Sequence, residues 1–272
     1  MNIPEIKLAD GKMIPRIGLG LWKNTDSESF SLAFKAAIKV GYRHFDTAQA
    51  YGNEQLLGQS IKSSGIDRKN FFITTKIAVQ NFGVKKSRNS FNESLRRLDT
   101  DYVDLLLLHF PIPALRNKTW KVAEEIKAQG LARSIGVSNY TINHLKQLEQ
   151  YATELPAVNQ IEMHVFLQQT ELSSYCKGKN IVIEAYSPLA HAKDMDNKTI
   201  NNLAKKYRKS YAQIMLRWAY QQEVVVLPKS VNPQRIEENA DIFDFALIDE
   251  DMRLIQAENR DLHTCWNPEL IP

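Results

Sequence analysis

In the stretch FDTAQAYGNE, Asp46 closes an apolar run and Tyr51 follows five residues later. Two later apolar runs close on Lys76 and His109. Together these four side chains make a set able to move a proton. A free tyrosine, with a pKa of about 10, is a poor donor and acceptor near neutrality, but a neighbouring ammonium stabilises the phenolate and lowers that value. Lys76 is the available ammonium, and a carboxylate beside it, Asp46, favours its charged form. His109 can hydrogen-bond the oxygen of a bound carbonyl. A general acid of this kind contributes about 10²- to 10⁴-fold in rate, so the rest of the reaction must come from another reactant.

Each residue also has a plainer reading. Asp46 can cap a loop, Lys76 can be a solvated rim residue, and His109 can be a satisfied imidazole before the helix-incompatible FPIP. What favours chemistry is that three successive apolar runs deliver an acid, an amine and an imidazole.

The elements that must position them recur along the chain. The apolar runs are RIGLG (16–20), YRHFD (42–46), FFITTK (71–76), VDLLLLH (103–109), SIGVSN (134–139), PAVNQ (156–160), IVIEAYS (181–187) and VVVLPK (224–229). Continuous rather than alternating apolar character suggests strands covered on both faces, as parallel strands are. Between them, Phe91, Leu95 and Leu98, and again Tyr211, Met215 and Trp218, have the spacing of an apolar helix stripe. Run ends at 46, 76, 109 and 139 are 30, 33 and 30 residues apart, near the roughly 31 expected when about 250 residues are shared among eight βα units. The fold class read from this is α/β, a (β/α)8 TIM barrel, with the catalytic rim at the C-terminal ends of the strands. IKLADGKMIP reads as an N-terminal β-hairpin turning at Asp10-Gly11 and plugging the other end, and NPELIP as a short C-terminal tail. No linker interrupts residues 1–272, so a single domain is expected.

The chain has 272 residues, 43% hydrophobic and 24% charged, with net charge +4, a pI of about 8.9 and mean hydropathy −0.37. The basic residues are scattered, which argues against nucleic acid as a partner. Cys176 and Cys265 are the only cysteines and lack metal-ligand spacing, fitting unpaired thiols in a reducing compartment and no metal site. MNIPEIKLADGK lacks the features of a signal peptide, and runs such as 105–108 are too short to span a bilayer. A cytoplasmic monomer, acting on a small molecule and not on a membrane, is expected.

The motifs GYRHFDTAQAYGNEQLLG, FFITTK, DLLLLHFP, IGVSNY, NQIEMH, EAYSPLA and LPKSVNPQRIEENADIFDF, in this order, resemble the aldo-keto reductase superfamily. The resemblance runs from IGLGLW to about Phe245, and it is strongest to the bacterial 2,5-diketo-D-gluconate reductase and glyoxal or methylglyoxal reductase type. It implies an NADPH-dependent carbonyl reductase with Asp46, Tyr51, Lys76 and His109 as the catalytic four, Tyr51 giving the proton. It further implies Ser138, Asn139 and Gln160 at the nicotinamide carboxamide, Tyr186 stacked on the ring, and Ser187 and Leu189 along the pyrophosphate path. Lys229, Ser230, Arg235, Glu238 and Asn239 fall at the adenosine 2′-phosphate and adenine, with Gly20 and Thr47 as additional cofactor contacts.

Plainer readings stand beside these. Tyr186 can be a core aromatic, Asn139 a helix cap before TINHLKQLEQY, and PKSVNPQR a solvated loop with a cap. Two cations and a hydroxyl at a helix start nevertheless form a good phosphate site. No G-x-G-x-x-G follows any strand, so a Rossmann site is excluded. Departures from the family pattern lie on the substrate side, with Phe110 where tryptophan is common and His164-Val165 where His-Pro is common. Trp22, Phe110 and Trp266, with Tyr51 and His109, are expected to line an apolar pocket with one polar end, suited to small aldehydes and ketones. Two other functions remain open: a Schiff-base enzyme of aldolase type using Lys76, and a nucleotide-binding regulatory subunit with little turnover.

Overall fold

The computed structural model describes residues 3–272. A hairpin comes first, β1 (Glu5–Lys7) against β2 (Met13–Pro15), antiparallel with Ile6 opposite Ile14. Gly11 sits in its loop at φ 83°, a left-handed conformation that glycine adopts without penalty.

Eight parallel strands follow: β3 (Leu19–Gly20), β4 (His44–Asp46), β5 (Phe72–Ile77), β6 (Val103–Leu108), β7 (Ala132–Ser138), β8 (Val158–Glu162), β9 (Val182–Tyr186) and β10 (Val225–Leu227). Each pairs with the next in sequence. The ring closes between β3 and β10 through bridges Ile17 to Val226 and Gly20 to Lys229, with Gly18 N donating to Val226 O at 3.0 Å and Gly20 N to Pro228 O at 3.0 Å. Glycine is required at this seam, because a Cβ on Gly18 would lie 2.7 Å from the His44 ring and 2.8 Å from Leu227.

Strand side chains alternate between two faces, and both faces are buried here. Leu105 and Leu107 pack inside the barrel with Leu8 and Ile14 of the hairpin, which plugs that end as expected. Leu106 and Leu108 face the other way, into the larger core shared with the helices. This explains the continuous apolar run VDLLLL. On β4 and β5 the same alternation separates Phe45, Ile73 and Ile77 of the outer core from Asp46 and Lys76, whose side chains bond each other.

The helices α1 (Ser27–Val40), α2 (Glu54–Ser63), α3 (Val84–Leu98), α4 (Arg116–Ala128), α5 (Ile142–Glu149) and α6 (Thr170–Gly178) connect the strands from β3 to β9. Two helices, α7 (Lys198–Tyr207) and α8 (Tyr211–Gln221), separate β9 from β10, and α9 (Pro233–Ala240) and α10 (Asp249–Gln256) follow. The eightfold count therefore needed two helices more. They support each other: Lys206 of α7 pairs with the buried Asp251 of α10 at 2.8 Å. The stripe Tyr211, Met215 and Trp218 is buried on α8, and Phe91 and Leu98 are buried on α3. PAVNQ proves displaced: β8 starts at Val158 and runs to Glu162, adding an acid to the rim.

Candidate active site

Asp46 ends β4, Lys76 lies one residue from the end of β5, and His109 follows β6 directly. After Asp46 the chain makes a single helical turn, Gln49–Tyr51, and leaves it through Gly52 at φ 69°. The turn is held by Gln49. Its Nε2 donates to Ser90 at 3.2 Å and Ser94 at 3.1 Å on α3, while its Oε1 accepts from Ala78 N and Asn81 Nδ2, both at 2.9 Å. Tyr51 is thereby set over the rim.

The four expected residues meet. Lys76 Nζ donates to Asp46 Oδ1 and Oδ2, each at 2.6 Å, to the Thr47 carbonyl at 3.1 Å, and to Tyr51 Oη at 3.4 Å. The rings of Tyr51 and His109 meet edge to face with centroids 5.6 Å apart.

Electrostatics assigns their protonation. Burial of Lys76 disfavours its charge, but Asp46 and Tyr51 outweigh burial and raise its pKa above the ordinary value, so it stays an ammonium. Burial, reinforced by the Lys76 charge, pushes His109 down to about 3, leaving a neutral imidazole. Tyr51 corrects the expectation of a lowered pKa. Lys76 does pull it down, but burial of the phenol pushes harder the other way, and the net direction is upward. The resting tyrosine is a neutral phenol, the form that donates a proton.

Beneath the four lies a second polar layer. Gln160 Nε2 donates to Asp46 Oδ2 at 2.8 Å and to Glu184 Oε2 at 2.6 Å. Thr47 is buried, its hydroxyl donating to Asn53 Oδ1 at 2.6 Å, and Asn53 Nδ2 holds the Leu21 and Asn24 carbonyls at 2.8 and 2.9 Å. The loop carrying Trp22 is thus tied to the strand end carrying Asp46.

On the adjoining wall Ser138 donates to the Gln160 carbonyl at 3.0 Å, and Asn139 Nδ2 donates to the His109 carbonyl and to Ser138 Oγ, both at 3.0 Å. Tyr186 Oη donates to Asn139 Oδ1 at 2.7 Å. Asn139 is therefore not the cap of α5; Thr141 is, in a capping box with His144. Ser187 adopts φ 49° and lies 3.0 Å from His191 Nε2, with Leu189 partly buried just beyond. Gly20 N donates to Pro228 O just beyond β10, beside Lys229. Asn232 caps α9, its Oδ1 accepting from Arg235 N at 3.1 Å, with Pro233 at the first position. Lys229 and Arg235 are exposed, and neither side-chain cation has an ion-pair partner among the described residues. Desolvation where its stem packs on the protein, and then neighbouring Lys23, lower the pKa of the exposed Lys229. Ser230 precedes the helix, Glu238 is half-buried and Asn239 buried.

The aromatic residues expected at the substrate side, Trp22, Phe110 and Trp266, each meet another ring. Trp22 meets His191 edge to face at 5.7 Å, and Phe110 meets Trp266 at 6.1 Å. Trp266 is 81% exposed. Its tail is anchored by Glu162, which accepts from Thr264 N at 2.8 Å and Cys265 N at 3.2 Å. Burial opposes the charge on Glu162, but hydrogen bonds from His164 and Thr264 prevail and hold it down to about 2. Sequence reasoning missed this anchor, although a polar residue closing a strand was the signal it used for Asp46, Lys76 and His109. His164 and Val165 are fully buried.

The aldo/keto reductase family model matches residues 16–260, most of the barrel and its rim. The chain belongs to the aldo/keto reductase family. As such it is an NADP-dependent oxidoreductase of carbonyl compounds. It is 44% identical over 264 residues to the glyoxal reductase of Bacillus subtilis (strain 168), covering 97% of this chain and 96% of that protein. It is 42% identical over 250 residues to methylglyoxal reductase DkgA of Escherichia coli (strain K12), covering 90% of each. The structure of a Bombyx mori aldo-keto reductase in complex with NADP superposes with a TM-score of 0.91 at 34% identity, covering 97% of this chain and 95% of that one.

Proposed function

We propose that this aldo/keto reductase reduces small aldehydes, ketones and α-dicarbonyls to alcohols with NADPH, and that Tyr51 donates the proton. The observation that carries the reading is the buried Lys76 ammonium, bonded to both Asp46 oxygens and reaching Tyr51 Oη. The dicarbonyl class rests on the resemblance to the glyoxal and methylglyoxal reductases.

The residues present suit the cofactor. The unpaired Lys229 and Arg235 cations offer a seat for the 2′-phosphate and the half-buried Tyr186 a face for the ring, while Ser138, Asn139 and Gln160 cluster where a carboxamide needs hydrogen bonds. When bound, the dihydronicotinamide supplies hydride to the carbonyl carbon. His109, neutral, donates one N–H to the carbonyl oxygen and orients it. Tyr51 passes its proton to that oxygen, and Lys76 stabilises the phenolate left behind. Asp46 keeps Lys76 charged throughout. Trp22, Phe110 and Trp266 shield the reacting carbonyl from water.

A Schiff-base reading needs a neutral, nucleophilic amine at Lys76, whereas this amine is fully buried and its pKa is raised by Asp46. The chain works as a single-domain monomer in the cytoplasm, where the two free thiols Cys176 and Cys265 are at home. Among the described residues no helix is long and apolar enough to cross a membrane. The test is steady oxidation of NADPH by a panel of aldehydes, ketones and dicarbonyls, followed by absorbance, with borohydride trapping alongside. Turnover with no label on Lys76 is expected; borohydride-dependent labelling of Lys76, or no turnover with any carbonyl, would overturn the reading.

A further inference from the structure

Glu184 belongs to none of the groups so far given a role in the reaction. It lies in β9 on the barrel interior, fully buried. Its Oε2 accepts from Gln160 Nε2 at 2.6 Å, and that same nitrogen donates to Asp46 Oδ2 at 2.8 Å. Its Oε1 has no hydrogen-bond partner among the described residues. The nearest basic group is His44 Nε2 of β4, at 3.4 Å, itself 3.0 Å from Thr74 Oγ1 of β5. The other ionisable groups facing this layer are Asp46 of β4, Lys76 of β5 and Tyr51 above them.

This layer thus holds two carboxyl groups and one ammonium. Lys76 is committed to Asp46, so ionising Glu184 would bury a second negative charge beside the first, and the acid stays neutral. The amide of Gln160 has one chemically acceptable orientation. With its nitrogen inward it gives one N–H to each carboxyl group; reversed, its oxygen would face the Asp46 carboxylate, which has no proton to offer. Gln160 is buried, so a carboxyl group missing on the Glu184 side would leave one N–H unpaired and the amide held by Asp46 alone.

We propose that Glu184 is a positioning residue for the reduction. As a buried acid it takes the second N–H of the Gln160 amide, completing with Asp46 the hold that spends both N–H groups inside the barrel and leaves the carbonyl Oε1 as acceptor for the nicotinamide carboxamide. This rests on the cofactor placement proposed above. Glu184 touches neither substrate nor cofactor and acts through Gln160 alone.

The test compares NADPH with an analogue whose carboxamide is replaced by an acetyl group and therefore has no N–H to offer Oε1. Affinities are read by quenching of tryptophan fluorescence, independently of turnover. Glu184→Leu should lose about 3- to 10-fold of the preference for NADPH, as expected for one hydrogen bond, while binding the analogue as the unmodified protein does. Glu184→Gln, whose own carbonyl can accept from Gln160, should keep the preference. Should leucine prevent folding, Glu184→Thr, too short to reach Gln160, replaces it with the same expectation. Gln160→Leu separates the two layers of argument. Loss of the preference in that variant but not in Glu184→Leu overturns the role of Glu184, and retention of it in both overturns the cofactor placement. Equal losses for NADPH and analogue in Glu184→Leu would show general damage and also overturn the proposal.

Discussion

Replacing Glu184 with glutamine should change how stability depends on pH. Burial first, and the Asp46 charge second, push the Glu184 carboxyl from its ordinary 4.5 up to about 8. The folded protein therefore holds a proton that the unfolded chain releases above about pH 4.5. This favours the fold fully below the unfolded pKa, and the advantage drains away as pH rises towards the folded one. Treated as independent, a difference of about 3.5 units at 1.36 kcal/mol per unit amounts to about 5 kcal/mol. Between pH 5 and 8 only part of that figure is traversed, roughly 3 kcal/mol. Glu184→Gln carries no ionisable group there, while His44, Asp46, Lys76 and Tyr51 remain in both proteins. The difference between variant and unmodified protein thus isolates Glu184. In reversible urea or thermal unfolding at pH 5, 6.5 and 8, the variant should gain steadily on the unmodified protein, by about 2 °C of Tm per kcal/mol for a chain of this size. Parallel stability curves across that range, or a gain towards acid pH, would show that Glu184 is not protonated in the folded protein.

Two further outcomes follow from the same geometry. Lys76→Met should abolish turnover and, by leaving Asp46 buried without its cation, cost about 3 to 5 kcal/mol of stability in urea unfolding; adding Asp46→Asn should restore stability and not activity. Arg235→Ala should weaken NADPH binding by about 10- to 150-fold, towards the lower end because the guanidinium is exposed to solvent, and leave NADH binding nearly unchanged when both are titrated by tryptophan quenching.

Where a residue closes a strand, its placement was legible in the chain. Asp46, Lys76 and His109 could be brought to one rim because parallel strands of a barrel end together, and the spacing of the runs supplied the barrel. Leu105–Leu108 illustrates the limit of that reading. The apolar run showed that both faces are covered, but only the structure separates the inner pair from the outer one, and with it the parity that turns Lys76 inward. Glu184 was invisible for the same reason: a single acid within IVIEAYS carries no sign of whether it meets a helix or Gln160. Gln49 was hidden differently, since its four partners come from α3 and the loop after β5. The phenol of Tyr51 was misjudged because its nearest charge was weighed and its burial was not. Asn139 looked like a cap because it precedes a helix, yet Thr141 lies closer to the first turn and has the hydroxyl to serve it.

Tyr51 is the proton donor on which the proposed reduction depends. Tyr51→Phe keeps the ring that packs against His109 and removes only the hydroxyl that Lys76 reaches. Its NADPH affinity and its kcat with an aldehyde substrate, measured on one preparation, test the claim directly. NADPH binding should be unchanged and kcat lowered at least about 100-fold; kcat near that of the unmodified enzyme would rule out Tyr51 as the donor.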